Sequence, residues 1–485
     1  MIPPQKKIWL VDFEFHQPDG EVPHPICMVA RNFATGETIR VWLWDEKGAS
    51  CPVPLGPETL YVAFMASAEL GCHLALGWSL PVHILDLSAE FRLLTSGRTL
   101  VAGKSLLGAL TYYGVNGIDA AEKKELRELA MRGGPFSVAE KAALLDYCET
   151  DVVALSHLLA AMLPYLDLPR ALIRGRYMKA VSRIERTGIP IAVEELQLLR
   201  NEWNSVQRSL VSKVDLSYGV YEGTTLRRAK FLDYCDRSGI RWPRLETGQP
   251  CLKGKVFRQM ALLYPKLLPL YELNSTLGQL RLNNLTVGRD GRNRFLTGTF
   301  GSKTGRNQPS SAKAVFGPSR WIRHLIMPGP GMALAYIDYD QQEFGIAAAL
   351  SGDEAMKRAY HSGDPYLEFS KLAGAAPPDA TKASHPEIRD QYKIAALGIL
   401  MGMGQELLGT QTKTCEAMGR RLLRQHKEVF PAFWIWSDAQ VDRANLGDHL
   451  STVFGWQLRS TNESSRTLRN FKLQANGADM LRLAA

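Results

Sequence analysis

Arg389-Asp-Gln-Tyr-Lys393-Ile-Ala-Ala-Leu397-Gly398-Ile-Leu-Met401-Gly402 spaces its distinctive side chains four residues apart, so Arg389, Lys393, Leu397 and Met401 fall on one stripe of a helix. The stripe is cationic at its start and apolar at its end. Two cations one turn apart can grip a triphosphate, because fixed positive groups stabilise charge on phosphoryl oxygens. Upstream, 332–339 reads as an apolar strand running into a helix over 341–350. Asp338, in Asp338-Tyr339-Asp-Gln341-Gln-Glu343-Phe, is then expected at a strand end, although the helix dipole alone also favours acids at a helix start. Downstream, helical patterns near 387–401 and 412–440 lead to Arg466, Asn470 and Gln474, again four apart.

The beginning of the chain has another rhythm. Strands are expected over 6–15, 25–33, 38–44 and 60–66, rich in Val, Ile, Trp and Phe and parted by Gly, Pro and Asp turns. A helix follows over 137–159, opened by Ser137 with Glu140 three residues on, which is a capping box. On the first strand, the period of two turns Asp12 and Glu14 to one face and Phe13 to the other. Such a carboxylate pair suits Mg²⁺ or Mn²⁺, and two such ions can activate a water and stabilise the leaving oxygen of a phosphodiester. Tyr147 and Asp151 lie four apart on the late helix and face the same way. From 171 to about 290 the chain is charged, amphipathic and helical in pattern, broken by Gly-Ile-Pro at 188–190 and by the turn-rich segment 246–250.

Charge divides the chain in the same place. Residues 1–170 carry 14 Lys and Arg against 20 Asp and Glu, and the remainder carries 44 against 29, so the first part is acidic and the second basic. A basic part of that size suits a polyanion such as nucleic acid. The seven cysteines are scattered and never form Cys-x-x-Cys, which argues against a disulfide framework or a zinc site. No signal peptide and no apolar run of bilayer length is present, so the cytoplasm is the expected compartment.

Asp12-x-Glu14 on a first strand with Tyr147-x-x-x-Asp151 on a late helix resembles the DEDDy 3′→5′ exonucleases. Their remaining acid follows an N-x-x-x-D pattern; here the V-A-x-x-A-x-x-acid frame at 62–69 offers Glu69, with Asp86 as the competing candidate. Asp338-Tyr-Asp-Gln-Gln-Glu343-Phe resembles motif A of family A DNA polymerases (D-Y-S-Q-I-E-L). The 389–402 stretch resembles their R-x-x-x-K-x-x-x-[FY]-G-x-x-Y-G fingers helix, Thr304-Gly305-Arg306 the T-G-R that opens the palm, and Arg466-x-x-x-Asn470-x-x-x-Gln474 the helix that contacts primer and template. Residues 176–191 resemble the entry to the thumb (x-E-R-T-G-V-x-I). Six motifs in order make the chain similar to a family A, DNA polymerase I-like enzyme over almost its whole length.

The resemblance implies a multi-domain α/β protein: a ribonuclease H-like 3′→5′ exonuclease domain over 1–170, a helical thumb over 171–290, and an incomplete right-hand palm and fingers over 291–485. It implies Mg²⁺ or Mn²⁺ on Asp12, Glu14 and Asp151, with Glu69 completing the acidic set and Tyr147 orienting the attacking water. Glutamate in place of aspartate displaces its carboxylate by a methylene, and an error of roughly 1 Å can cost about 10²-fold, so a slow or inactive exonuclease is one implication. In the polymerase part, Asp338 would be a metal ligand aided by the Tyr339 carbonyl, Gln341 and Glu343 would lie at the nucleotide, and Glu343 would be the steric gate against a ribose 2′-OH. Arg389 and Lys393 would hold the triphosphate. Leu397 and Met401 replace two aromatic residues, so stacking on the nucleotide should differ. Arg306, Arg466, Asn470 and Gln474 would contact DNA.

The expected partners are primer-template DNA and dNTPs, with no membrane, for a monomer acting in DNA replication or repair. The resemblance runs out before the late palm segment written H-D-E, which supplies a second catalytic aspartate. Severely impaired synthesis by this chain is therefore expected, with a shortened reading frame as its expected origin. Two other classes compete: a 3′→5′ exonuclease with a vestigial, DNA-binding polymerase region, and a non-catalytic DNA-binding protein.

Overall fold

Alternation decides the first element. In β1 (Lys7–His16), Leu10, Val11 and Phe13 are buried while Asp12 and Glu14 remain half-exposed. The computed structural model describes residues 7–45, 48, 50–115, 120–279, 284–317, 320–459 and 463–485; Lys6, where the first strand is expected to start, lies outside them. β1 is the centre of a five-stranded sheet with β2 (His24–Asn32), β3 (Thr38–Trp42), β4 (Thr59–Ala63) and β5 (His83–Asp86), in the order β3-β2-β1-β4-β5. The β1–β2 and β2–β3 pairs are antiparallel, and β4 and β5 run parallel to β1. The β4 pairing stops at Leu10, opposite Val62, whereas β2 continues with Val29 opposite Asp12 and Cys27 opposite Glu14. Asp12 and Glu14 thus extend past the carboxyl end of a parallel neighbour, where open α/β sheets leave a crevice.

β4 ends sooner than its composition indicates, at Ala63 rather than 66. Met65 turns the chain in the left-handed region (φ 67°, ψ 56°) and Ala66 begins α1 (Ala66–Leu76). Asp86 fixes this corner: its carboxylate accepts from the N–H groups of Met65 (3.2 Å) and Ala66 (3.1 Å), and caps α2 (Leu87–Leu94) through Ser88 (2.9 Å) and Ala89 (3.2 Å). α3 (Val138–Met162) starts with the expected capping box, Ser137 accepting from the Glu140 N–H and Glu140 from the Ser137 N–H. It lies across β1 and β2. α4 (Leu168–Thr187) continues the layer and stops at Gly188.

The core of this sheet does not end with the first part of the chain. Phe300 and Trp456 stack with ring centres 5.3 Å apart within the same buried cluster, and the Trp456 indole donates to the Lys303 carbonyl at 2.9 Å. Gly305 of Thr304-Gly305-Arg306 adopts φ 70°, and a Cβ there would lie 2.9 Å from the Trp456 ring, which explains glycine at that position. A separate cluster around Phe231, Trp242 and Phe257 holds the helical arm together.

A third core, around Phe344, Phe369, Tyr392, Phe430 and Leu473, joins α5 (Gln342–Ser351), α6 (Pro365–Leu372), α7 (Pro386–Leu400), α8 (Glu416–Val429), α9 (Pro431–Asn445) and α10 (Ser465–Ala484). The single helix expected over 412–440 is two, because Pro431 lacks the N–H needed to continue α8 and instead opens α9. The strand expected over 332–339 does not form. Residues 331–340 are exposed throughout, Tyr336 and Ile337 each at 91%, and no strand pairs with them among the described residues. Strand propensity becomes a strand only against a neighbour. Asp338 accordingly lies in an exposed segment and not at a strand end. No helix among the described residues is long and apolar enough to cross a membrane.

Arg174 of α4 ties these layers together. Its Nε and one terminal nitrogen donate to both oxygens of Glu90 on α2 (2.6 and 2.7 Å), the other terminal nitrogen reaches the Phe454 carbonyl, and the two side chains are 7% and 2% exposed. Breaking a buried pair from one side costs about 3–5 kcal/mol, because the remaining charge is left unpaired. Arg174→Leu is expected to lower unfolding free energy by that amount in urea, and Arg174→Leu with Glu90→Leu by clearly less; equal losses would mean that the charge pairing is not what matters.

Candidate functional site

The described residues contain one group of three metal-competent side chains, and it is the carboxylate set at the end of β1. One oxygen each of Asp12, Glu14 and Asp151 lie within 4.8 Å of one another. β1 supplies two through its period of two, and α3 supplies Asp151, which is 7% exposed. Tyr147, one turn before Asp151, is buried and hydrogen-bonded to it; burial first, then the negative charge of Asp151, Glu14 and Asp12, raises its hydroxyl pKa. Cys148 adds a contact that spacing did not reveal. Its thiol lies 3.3 Å from the Asp12 carbonyl and 3.5 Å from its carboxylate, bracing the strand against α3.

Glu69 projects from the first turn of α1 toward this group. It is 4% exposed, accepts from the Phe13 N–H, and keeps one carboxyl oxygen without a partner. Burial, then the charges of Asp12 and Glu14, push its carboxyl well above the usual range. Asp86, the competing candidate, is committed to four backbone N–H groups; burial lifts its carboxyl to about 6 against the pull of those bonds. The chemistry of the donor set fits a hard divalent cation: oxygen ligands only, three converging, and a fourth carboxyl beside them with an orphaned oxygen.

The second constellation gathers around α7. Arg389 and Lys393 lie over the ring of Tyr366, at 5.5 and 5.9 Å from its centre. Tyr366 on α6 is absent from the sequence motifs; it sits buried in the short run Asp364-Pro-Tyr at a helix start. Burial, then the nearby Glu343 charge, raises its hydroxyl pKa to about 12. Glu343, in the first turn of α5, pairs with Arg306 at 3.3 Å, so two predicted residues 37 positions apart do meet. At the far end of the stripe, Arg466 Nε donates to the Met401 carbonyl at 3.1 Å and Gln474 Nε2 contacts its sulfur at 3.0 Å. Leu397 and the half-buried Asn470 lie on these same two helices.

Gln341, in the left-handed region at φ 47°, donates to the Gly363 carbonyl at 3.2 Å, and the Tyr339 hydroxyl reaches the Met480 carbonyl at 3.4 Å. Asp338 joins no group of three metal-competent side chains among the described residues. The carboxylates that converge among the described residues are thus those of β1 and α3, and Asp338 stands apart from them.

Comparison with known proteins agrees with this second half. Residues 313–485 match the family model for DNA polymerase family A. The thermostable DNA polymerase I of Thermus thermophilus is 24% identical over 335 residues, covering 63% of this chain and 39% of that protein. A DNA polymerase of Mycobacterium phage D29 is 23% identical over 353 residues, covering 69% of this chain and 57% of that protein. The chain thus spans about two fifths and under three fifths of the length of these two relatives. In fold it is similar to the POL domain of Pol1 from M. smegmatis, solved with DNA primer-template and dNTP: the TM-score is 0.66 at 17% identity, covering 98% of this chain and 83% of that one. Over residues 313–485 the chain is thus similar to DNA polymerase family A.

Proposed function

We propose that the chain is a DNA polymerase of family A with an attached 3′→5′ exonuclease, taking primer-template DNA and dNTPs. The observation that carries the exonuclease half is the convergence of Asp12, Glu14 and Asp151 where β1 runs past the end of β4, with Tyr147 bonded to Asp151. The β3-β2-β1-β4-β5 order, three antiparallel strands followed by two parallel ones, supports a ribonuclease H-like domain. Asp12, Glu14 and Asp151 would hold Mg²⁺ or Mn²⁺, which supplies Lewis-acid stabilisation of phosphoryl charge when bound. Tyr147 would orient the water that attacks the terminal phosphodiester. Cys148 holds Asp12, and Glu69 supplies the fourth carboxyl. A frayed 3′ end is the natural substrate, since pairing must be broken before a strand end can enter such a site.

In the second half, Arg389 and Lys393 would receive the phosphates of a dNTP, and Glu343, held by Arg306, would stand against a ribose 2′-OH. Arg466, Asn470 and Gln474 would follow the primer-template. A second reading, an exonuclease whose polymerase region only binds DNA, is favoured by one observation: Asp338 is exposed and outside any carboxylate cluster among the described residues.

A 5′-labelled recessed primer-template with Mg²⁺, run on a denaturing gel, tests both halves. Shortening without dNTPs is expected, and Asp12→Ala should slow it by about 10²-fold or more; undiminished trimming by that variant would remove the exonuclease assignment. Extension on adding dNTPs selects the polymerase reading, and its absence selects the second.

Glu69 gives a test by stability alone. A carboxyl whose pKa is raised in the folded state lends stability below its unfolded value of 4.5 and loses it as pH rises through the folded value. In EDTA at about pH 8, Glu69→Gln should therefore raise the melting temperature, by about 2–4 °C per kcal/mol of relieved burial and repulsion, with no gain near pH 4. The same change at both pH values would show that Glu69 carries no charge penalty.

A further inference from the structure

The cation that opens the α7 stripe is already engaged. Arg389 Nε donates to Asp364 Oδ2 at 2.8 Å and a terminal nitrogen donates to Asp390 Oδ1 at 3.1 Å, with the Tyr366 ring 5.5 Å away. The two acids are not equivalent. The side chains of Arg389 and Asp364 are 12% and 22% exposed, whereas Asp390 is 68% exposed, so its pairing is screened by solvent. Asp364 is also the better anchored: its other oxygen accepts the Leu367 N–H at 3.2 Å as the N-cap of α6, and Gln341 holds the preceding Gly363 through its carbonyl.

Guanidinium groups bind phosphate best through two parallel N–H donors on one edge. Asp364 sits on the Nε position and Asp390 on a terminal nitrogen, so the fork is divided between two carboxylates. A triphosphate oxygen seeking both donors of the Nε edge meets the Asp364 carboxylate in its place.

We infer that Asp364 is an internal phosphate surrogate: it holds Arg389 while the site is empty, and a nucleotide binds by taking its place. The inference rests on the reading of α7 as the helix that receives a nucleotide's phosphates. No covalent bond changes in this exchange; one charge-assisted hydrogen-bond partner replaces another. Asp364 acts through Arg389 and is therefore a positioning residue that sets triphosphate affinity. The arrangement fixes the guanidinium against Tyr366 in advance, at the cost of competition from a carboxylate.

Asp364→Asn separates these effects, because Asn caps a helix as well as Asp does but carries no charge. The test is calorimetric titration of the full chain, bound to a primer-template with a dideoxy-terminated primer, with dATP and Mg²⁺. Asp364→Asn should tighten dATP binding by about tenfold, Asp390→Asn should leave it within about twofold, and deoxyadenosine, which has no phosphate, should not distinguish the variants. A merely structural defect would weaken binding. Should the Asn variant melt at a lower temperature, Asp364→Ser, which also keeps a cap, is expected to give the same gain. Unchanged or weaker dATP binding by both cap-preserving variants, with the unaltered chain binding dATP, overturns the surrogate role alone. An unaltered chain that takes up no dATP overturns the nucleotide reading of α7 and the surrogate role with it.

Discussion

Repulsion among carboxyl groups governs the first half of this protein. Asp12, Glu14 and Asp151 bring oxygens within 4.8 Å of one another, with Glu69 buried beside them. Like charges so close repel one another, and a bound cation would relieve that repulsion. The surrounding structure is arranged to hold them nevertheless. β2 continues alongside β1 where β4 has stopped, Cys148 and Tyr147 contact Asp12 and Asp151 from α3, and Asp86 pins the corner from which α1 carries Glu69 inward. Burial first, and then the charges of Asp12 and Glu14, raises the pKa of Glu69, which keeps one carboxyl oxygen without a partner.

The second half solves the opposite problem. Its cations are held in place by acids and by an aromatic face: Arg306 by Glu343, Arg389 by Asp364 and Asp390, Lys393 over Tyr366. The halves are joined by buried contacts, not by a linker alone. Arg174 bridges α2 and the Phe454 carbonyl, and Phe300 and Trp456 extend the core of the sheet into the segment that carries Arg306. The segment that carries Arg306 thereby shares the core of the sheet.

Residues that act through fixed spacing were legible in the sequence. The period of two placed Asp12 and Glu14 together, the period of four placed Tyr147 with Asp151 and Arg389 with Lys393, and Ser137-x-x-Glu140 marked the start of α3. Residues that act through long-range approach were not. Cys148, Tyr366 and Asp364 reach their partners across 136, 23 and 25 positions, and nothing local announces such a meeting. The 332–339 segment failed for a related reason: its composition suits a strand, but a ladder requires a second strand, and none is present among the described residues. The break at Pro431 was the one error that local chemistry could have prevented, since a proline inside a helical pattern ends or restarts it.

The apolar end of the α7 stripe shows how placement and chemistry separate. Met401 is held through its own carbonyl by Arg466, and its thioether accepts a contact from Gln474. A main-chain acceptor does not depend on the side chain that follows it, so α7 keeps its seat on α10 whichever residue stands at 401. An aromatic residue there would present a flat π-face; the flexible, polarizable methionine fills the space with less geometric preference. The identity of the side chain at 401 therefore shapes the apolar end of the stripe and does not decide how α7 is seated on α10.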